Sequence, residues 1–135
     1  TNAKLYDNAS LHIQENILTT DSQTAKTIFK VELLGENSSV EVVSHSVAKD
    51  SSVQEFKSDL IGKNQCFGHV ECDGIIMDSA RIISTPMIDA IDSNASLVHE
   101  AAIGKIAGDE LIKLMTLGLT REEAENMIIQ GFLLG

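Results

Sequence analysis

Short runs in which apolar and polar residues alternate occupy most of the chain. Phe29, Val31 and Leu33, for example, are each separated by a single residue. A period of two is typical of β-strands that bury one face. Clusters rich in Gly, Asn, Asp and Ser separate the runs and predict turns at residues 35–37, 49–51, 62–64, 72–74 and 92–94. The pattern predicts a mainly β region over residues 1–106.

Two β folds are compatible with these runs. The turn clusters are unevenly spaced, which suits either a β-sandwich or a solenoid whose strands bend at corners. No internal repeat is evident, so periodicity leaves both open. The chain has no Trp, only four Phe and one Tyr, and a single proline, Pro86. Stacked β layers filled by Ile, Leu, Val and Ala would tolerate this composition.

The period changes after residue 106. Leu111, Leu114 and Met115 follow helical spacing and predict a helix over residues 109–117, which Gly118 would end in a left-handed conformation. A capping box at residues 120–123 predicts a second helix, whose apolar side includes Met127, Ile128 and Phe132. Two short helices are unstable alone in water, so residues 107–135 are expected to pack on the β region or on a partner.

Charge and composition exclude several classes of function. The net charge of −10 repels nucleic acid and anionic membranes. No apolar run reaches the roughly 18–20 residues of a membrane span, and residues 1–7 lack the pattern of a signal peptide. Two cysteines, Cys66 and Cys72, are too few for a disulfide scaffold, which favours a reducing cytoplasm. The apolar ending suggests a piece of a longer protein.

Cys72 is the first residue with chemical potential. Glu71 and Asp73 flank it, and their charge disfavours its thiolate. Cys72 is therefore either a small buried strand residue or a sulfur acceptor and iron ligand. The spacing of Cys66, His69 and Cys72 loosely resembles a metal knuckle, but in a strand the two cysteines would share one face and the histidine would face away.

His99 and Glu100 form a second candidate. They are either a hydrogen-bonded histidine with a solvated glutamate, or metal ligands. In a regular strand adjacent side chains face opposite sides, so both reach one metal only if the backbone turns there. His12 and His45 lie in alternating runs and are expected on strand faces. Nucleophile-elbow, phosphate-loop and dinucleotide motifs are absent, so enzymatic activity is not expected.

Several segments together resemble the SufB/SufD family of the SUF machinery, which builds iron–sulfur clusters, and they lie between Cys66 and Phe132. They are residues 71–73, 85–86, 96–106, 109–111 and 118–124. The resemblance implies a right-handed parallel β-helix, a solenoid, followed by a short two-helix segment. It also implies that full-length members are longer than this chain.

The resemblance implies roles for particular residues. Cys72 matches the cysteine implicated in receiving sulfur and assembling the cluster. His99 and Glu100 match a histidine and a glutamate near a transient iron–sulfur cluster. SufD-type members typically have glycine after that histidine, so Glu100 favours the SufB type. Cys66 has no counterpart in the family pattern and remains unassigned.

The resemblance also implies partners. The family's C-terminal helices dock the ABC-type ATPase SufC, and here the docking residues would be Leu111, Leu114, Met115, Met127, Ile128 and Phe132. A SufD-type subunit or a second copy, and a sulfur donor protein, complete the expected set.

Three hypotheses of function follow from the resemblance. The first is a cluster-assembly scaffold that accepts sulfur and iron. The alternative is a SufD-like or truncated interaction subunit that binds the ATPase and a second β-helix subunit without ligating a cluster. A transport accessory role has no support beyond the association with an ABC-type ATPase.

Overall fold

The computed structural model describes all 135 residues, which form eight strands and two helices. The elements are β1 (Asn2–Leu5), β2 (Ser10–Thr19), β3 (Thr24–Leu33), β4 (Ser38–Ala48), β5 (Val53–Gly62), β6 (Cys66–Ile76), β7 (Arg81–Ala90), β8 (Ser96–Gly104), α1 (Gly108–Thr116) and α2 (Arg121–Leu134). The strands end before residue 107, close to the predicted change of period.

Successive strands alternate between two parallel sheets. Sheet A has the order β1-β3-β5-β7, and sheet B has the order β2-β4-β6-β8. Because the chain returns to the same sheet at every second strand, it winds as a solenoid of about four turns. Ser39 pairs with Ser10 and Cys66 with Ser38, so a turn takes 29 and then 28 residues. The expected parallel β-helix is confirmed, and the sandwich is wrong.

A repeat that the sequence analysis missed lies at one corner. Asp21, Asp50 and Asp78 occupy equivalent places in successive turns, and each has a positive φ of 54–59°. The Asp50 carboxylate accepts a hydrogen bond from the backbone N–H of Asp21 at 2.8 Å, and the Asp78 carboxylate accepts one from Asp50 at 3.2 Å. Asp tolerates the left-handed conformation better than most residues. The recurring feature is this aspartate at the corner of each turn, whereas the sequences of the strands do not repeat.

The core lies between the two sheets. Sheet A contributes its larger side chains, Phe29, Val31, Leu33, Phe56 and Leu60, and sheet B contributes Val40, Val42, Cys66, Val70 and Cys72. The predicted inward face of the β3 run is confirmed. This core holds the inner side chains of neighbouring turns on strands about 4.8 Å apart.

The predicted turn at residues 72–74 is wrong, because these residues lie within β6. Gly74 lies inside the strand, where its lack of a side chain allows neighbouring residues to pack closely, and the chain does not turn there. A Cβ at this position would come within 2.9 Å of the Ile82 Cδ1 atom, and the Ile103 side chain lies at 3.5 Å. A residue with no side chain therefore lets the last turn pack closely on β6.

The predicted helix pair is confirmed. Gly118 follows α1 with a φ of 99°. The Thr120 hydroxyl accepts from the Glu123 backbone N–H at 3.2 Å, and the Glu123 carboxylate accepts from the Thr120 N–H at 2.8 Å, completing the capping box. Helix α2 packs on the outer face of sheet B, where the rings of Phe132 and His45 have centroids 5.0 Å apart. Neither helix has the length and apolarity needed to cross a membrane.

Candidate functional site

Cys72 lies on the inner face of β6 and is 0% exposed. Its neighbours in the adjacent strands are Ser44 in β4 and Ala101 in β8. Its surroundings are partly polar, because the Ser44 hydroxyl donates to the Glu15 carboxylate at 3.2 Å and Thr27 donates to the same carboxylate at 2.9 Å. The thiol is therefore buried beside a hydrogen-bonded carboxylate as well as aliphatic side chains.

The environment of Cys72 disfavours its thiolate. Burial raises the pKa of the Cys72 thiol, and the negative charges of Asp73 and Glu15 raise it further. The Ser84 hydroxyl opposes this shift in pKa. That hydroxyl makes no hydrogen bond of good geometry, so its contact with the sulfur is weak and burial dominates. The expected direction of the effect therefore agrees with the structure, but of the two flanking carboxylates only Asp73 contributes, and the second contribution comes from Glu15.

His99 lies on the inner face of β8, opposite Val70. Its Nδ1 atom is 3.4 Å from the Ser58 hydroxyl, and its Nε2 atom is buried without a hydrogen-bond partner. Burial lowers the pKa of His99, and the nearby His69 lowers it further. The ring is therefore held neutral, which is the form that binds metals.

Cys72 and His99 share the inner surface of neighbouring strands. His99 pairs with Val70, and Cys72 follows Val70 by two residues on the same face. Strand geometry places their Cα atoms on the order of 8 Å apart. The structure thus brings together two of the three predicted site residues.

Glu100 faces the opposite side of the sheet from His99. Strand β8 continues from Ser96 to Gly104 without a turn at this point. The Glu100 side chain is 67% exposed, and its Oε2 atom is 3.2 Å from the Nε2 atom of His69. Within this chain, Glu100 therefore lies with His69 on the outer face, and Cys72 and His99 lie inside.

The remaining cysteine and the unpredicted polar residues complete the description. Cys66 is buried at the start of β6, on the same face as Cys72, and His69 faces away as expected. Glu15, Ser44 and Ser84 were not recognised as neighbours of Cys72. The sequence did indicate the position of Glu15, because it follows Leu11 and Ile13 at the next alternate position of β2 and therefore lies on the inward face.

The predicted docking residues divide between the solenoid and the surface. Leu111 is buried, and Leu114, Ile128 and Phe132 are partly buried. Only Met115 and Met127 remain exposed, and the other exposed apolar side chains of the helices are Ile112, Leu117 and Leu134. Much of the predicted stripe is therefore used within this chain, where α1 packs on α2 and α2 packs on sheet B through residues such as Phe132.

The two-sheet solenoid with an internal cysteine and histidine defines a class of β-helical protein, and comparison with known proteins identifies the family. Residues 3–132 match the family described as "SUF system FeS cluster assembly, SufBD core domain". An iron–sulfur cluster assembly SufBD family protein of Methanothermobacter thermautotrophicus (strain Delta H) is 42% identical over 106 residues, covering 77% of this chain and 26% of the relative. A SufBD family protein of Archaeoglobus fulgidus is 38% identical over 103 residues, covering 75% and 28%.

The iron–sulfur cluster assembly protein SufB of Bacillus subtilis is 33% identical over 104 residues, covering 74% of this chain and 22% of SufB. The chain therefore belongs to the SufBD family of the SUF iron–sulfur cluster assembly system. It spans about a quarter of the length of these relatives.

Proposed function

We propose that this chain forms part of a non-enzymatic scaffold subunit on which iron–sulfur clusters are assembled. In this proposal Cys72 accepts sulfur and His99 binds iron. The observation that carries the proposal is that both side chains lie on the inner surface of β6 and β8, where His99 keeps an unpartnered ring nitrogen. Thiolate and imidazole are both suitable ligands for iron.

The sulfur step is a persulfide transfer. The Cys72 thiolate attacks the terminal sulfur of a persulfide on a donor protein. The donor's S–S bond breaks, its cysteine leaves as a thiolate, and Cys72 becomes the persulfide. Because burial disfavours the Cys72 thiolate, the step requires either movement of the last turn or a nearby cation, which would favour the thiolate.

The last turn, formed by β7 and β8, is the route to Cys72. Pro86 and Ala101 occupy inner positions of this turn and are nevertheless exposed, because no further turn stacks on them. Only one layer therefore covers the thiol. A cluster commonly has four protein ligands, and the inner surface provides two. A SufD-type subunit or a second copy docked at this end would supply others, and Glu100 remains a candidate iron ligand.

The exposed helix surface is proposed to dock an ABC-type ATPase in the cytoplasm. Ile112, Met115 and Met127 are large apolar side chains that the solenoid leaves exposed. Exposed apolar residues on a helix suit insertion into a partner's groove. ATP hydrolysis in the partner would then move the helices relative to the last turn.

Two cysteine variants test the scaffold proposal. Cys72→Ala should abolish iron and acid-labile sulfide after reconstitution, and it should prevent persulfide formation. Cys66→Ala is the matched control, because Cys66 is a second buried thiol on the same strand and face, and this variant should retain both. Urea unfolding verifies that each variant folds. Unchanged iron and sulfide in Cys72→Ala would defeat the proposal.

The interaction-subunit alternative is favoured by one observation, the separation of Glu100 from His99 on opposite faces of β8. It predicts that Cys72→Ala has no effect, while deletion of residues 109–135 abolishes ATPase binding. Because that deletion removes the buried residues Leu111, Ala124 and Ile129 and uncovers the surface of sheet B around His45, the paired substitution Met115→Asp and Met127→Asp tests docking in a folded chain. ATPase binding retained by both variants would count against this alternative.

A further inference from the structure

Three side-chain atoms of the protein are buried without a hydrogen-bond partner, namely the Oγ atom of Ser84, the Nε2 atom of His99 and the Nδ1 atom of His45. His45 lies on the outer face of sheet B against Phe132, and the proposed function assigns the nitrogen of His99 to iron. The Ser84 hydroxyl is the one inside the solenoid that the proposed function does not use. Buried hydroxyls in folded proteins nearly always have a partner, so this one requires an explanation.

Ser84 lies across the core from Cys72. Because the chain turns back at each corner, β6 and β7 run in opposite directions on facing sheets. Ile82 faces Gly74, since a Cβ at Gly74 would lie 2.9 Å from the Ile82 Cδ1 atom. Two residues further along β7 and two residues back along β6, on the same inner faces, are Ser84 and Cys72. Although burial raises the pKa of the Cys72 thiol, the Ser84 hydroxyl lowers it, which agrees with this placement.

Two other inner hydroxyls of this region are already engaged. Ser44, beside Cys72 in sheet B, donates to the Glu15 carboxylate at 3.2 Å, and the Ser58 hydroxyl lies 3.4 Å from the Nδ1 atom of His99. The Ser84 hydroxyl has no such partner, and its contact with the thiol lacks the geometry of a hydrogen bond. Its O–H group is therefore free to donate to an acceptor that the thiol itself does not provide.

The outer sulfur of a persulfide is an acceptor of this kind. When Cys72 accepts sulfur, the donor's S–S bond breaks and a new S–S bond of about 2.05 Å carries the outer sulfur beyond the Sγ atom of Cys72. The proton of the outer sulfur passes to the departing donor thiolate. The Cys72 thiolate and the donor persulfide thus become the Cys72 persulfide anion and the donor thiol. A hydroxyl stabilises such an anion through a charge-assisted hydrogen bond.

We propose that Ser84 is a sulfur-binding residue, whose hydroxyl donates a hydrogen bond to the outer sulfur of the Cys72 persulfide. Ala101, the neighbour of Cys72 in β8, has only a methyl group, so the donor comes from the facing strand β7. Ser84 belongs to the last turn, the one layer that covers the thiol, and the bond would also hold that layer closed over the persulfide. Ser84 can act in this way only if Cys72 accepts sulfur, so this role rests on the proposed function.

The lifetime of the persulfide in the full-length protein tests this role. The protein is treated with inorganic polysulfide, the excess is removed, and the sulfur that remains on Cys72 is followed by alkylation and peptide mass spectrometry. Ser84→Ala should shorten the half-life of the Cys72 persulfide by about fivefold or more, as the loss of a hydrogen bond to a charged group does. Ser84→Thr, which keeps a hydroxyl, should stay within about twofold of the wild type. Ser46→Ala is the matched control, because it removes another buried inner hydroxyl that lies beside Gly74, and it should also stay within about twofold.

Thermal unfolding of the unmodified protein separates this role from a structural one. Because the Ser84 hydroxyl has no partner in the protein, its removal leaves no other buried group unpaired. Ser84→Ala should therefore melt at or above the temperature of the wild type while its persulfide decays faster. A lower melting temperature together with a shorter half-life would assign the hydroxyl a structural role and overturn the inference.

Equal half-lives in the wild type and Ser84→Ala, or equal losses in Ser84→Ala and Ser46→Ala, would also overturn it. The two proposals fail separately. Absence of a persulfide on Cys72 in the wild type would defeat the proposed function itself. A persulfide that forms on Cys72 and decays at the same rate in Ser84→Ala would defeat only the role of Ser84.

Discussion

Sheets A and B share one topology and one register period but carry different side chains on both faces. On the outer face of sheet A, Glu55 lies 3.0 Å from Lys26 and 2.9 Å from Lys57. On the outer face of sheet B, the ion-pair partners are histidines, as in the pair of His69 with Glu100. Among the buried core residues, only sheet A contributes phenylalanine and leucine, whereas sheet B contributes valine, serine and cysteine; the inward leucine and isoleucine side chains of sheet B, such as Leu11, Ile13 and Leu97, are only partly buried.

The difference indicates that the two sheets of one repeating fold have different roles. Sheet A pairs most of its outer carboxylates with lysines and contributes the buried phenylalanines and leucines of the core. The buried inner residues of sheet B are smaller, and its outer carboxylates have no lysine partners in that sheet. We infer that sheet A mainly stabilises the solenoid, whereas sheet B contains the residues of the proposed site, Cys72 and His99. Each prediction below tests one part of this contrast.

The largest expected effect on stability comes from the large buried side chains of sheet A. Leu60 is 0% exposed, so Leu60→Ala should lower the free energy of unfolding by about 3 kcal/mol, through lost transfer energy and a residual cavity. Cys72→Ala removes one atom from sheet B and should cost less. Urea unfolding of the two variants measures both. A greater loss for Cys72→Ala would reverse the proposed roles of the sheets.

The next effect concerns the small inner residues of sheet B. A Cβ added at Gly68 would come within 2.8 Å of the Leu97 Cδ2 atom and 3.1 Å of the Leu60 Cδ1 atom. Gly68→Ala should therefore destabilise the protein by about 1–3 kcal/mol, as overpacking does. Gly104→Ala, where an added Cβ meets no atom within 4 Å, is the control. Equal thermal stability of the two variants would show that close packing does not require glycine at position 68.

The smallest effect concerns the lysine partners of sheet A. The hydrogen bond from Lys57, followed by that from Lys26, lowers the pKa of Glu55 below its ordinary value of 4.5. Because the pKa is lowered in the folded state, the stabilisation is present above pH 4.5 and is lost as the pH falls through the folded value. Carboxyl NMR titration should show Glu55 below 4.5 and a rise toward 4.5 in Lys57→Met. A pKa of 4.5 or more in the wild type would contradict this account of sheet A.

Much of the fold could be predicted from local patterns. The inward face of Phe29, Val31 and Leu33, and the capping box of α2, follow from residues that are close in sequence. The choice of a solenoid depended on the family resemblance, because the strands do not repeat. An Asp-Ser pair recurs at residues 21–22, 50–51 and 78–79, and this spacing of 28 or 29 residues was the missed signal of the repeat.

The candidate site was predictable in part. Alternation along a strand already implied that His99 and Glu100 face opposite sides, and β8 follows that rule. The partners of these residues could not be predicted. Glu15 meets Ser44, and His69 meets Glu100, although the members of each pair are 29 and 31 residues apart.

By itself, the sequence determined which residues form strands, which face of several strands is buried and where the chain turns helical. These properties arise from side chains a few positions apart. Only the tertiary structure decided that Cys72 and His99 lie inside the solenoid while His69, Glu71 and Glu100 gather outside. The corners set how many residues each turn takes, and that number fixes which side chains become neighbours across the strands.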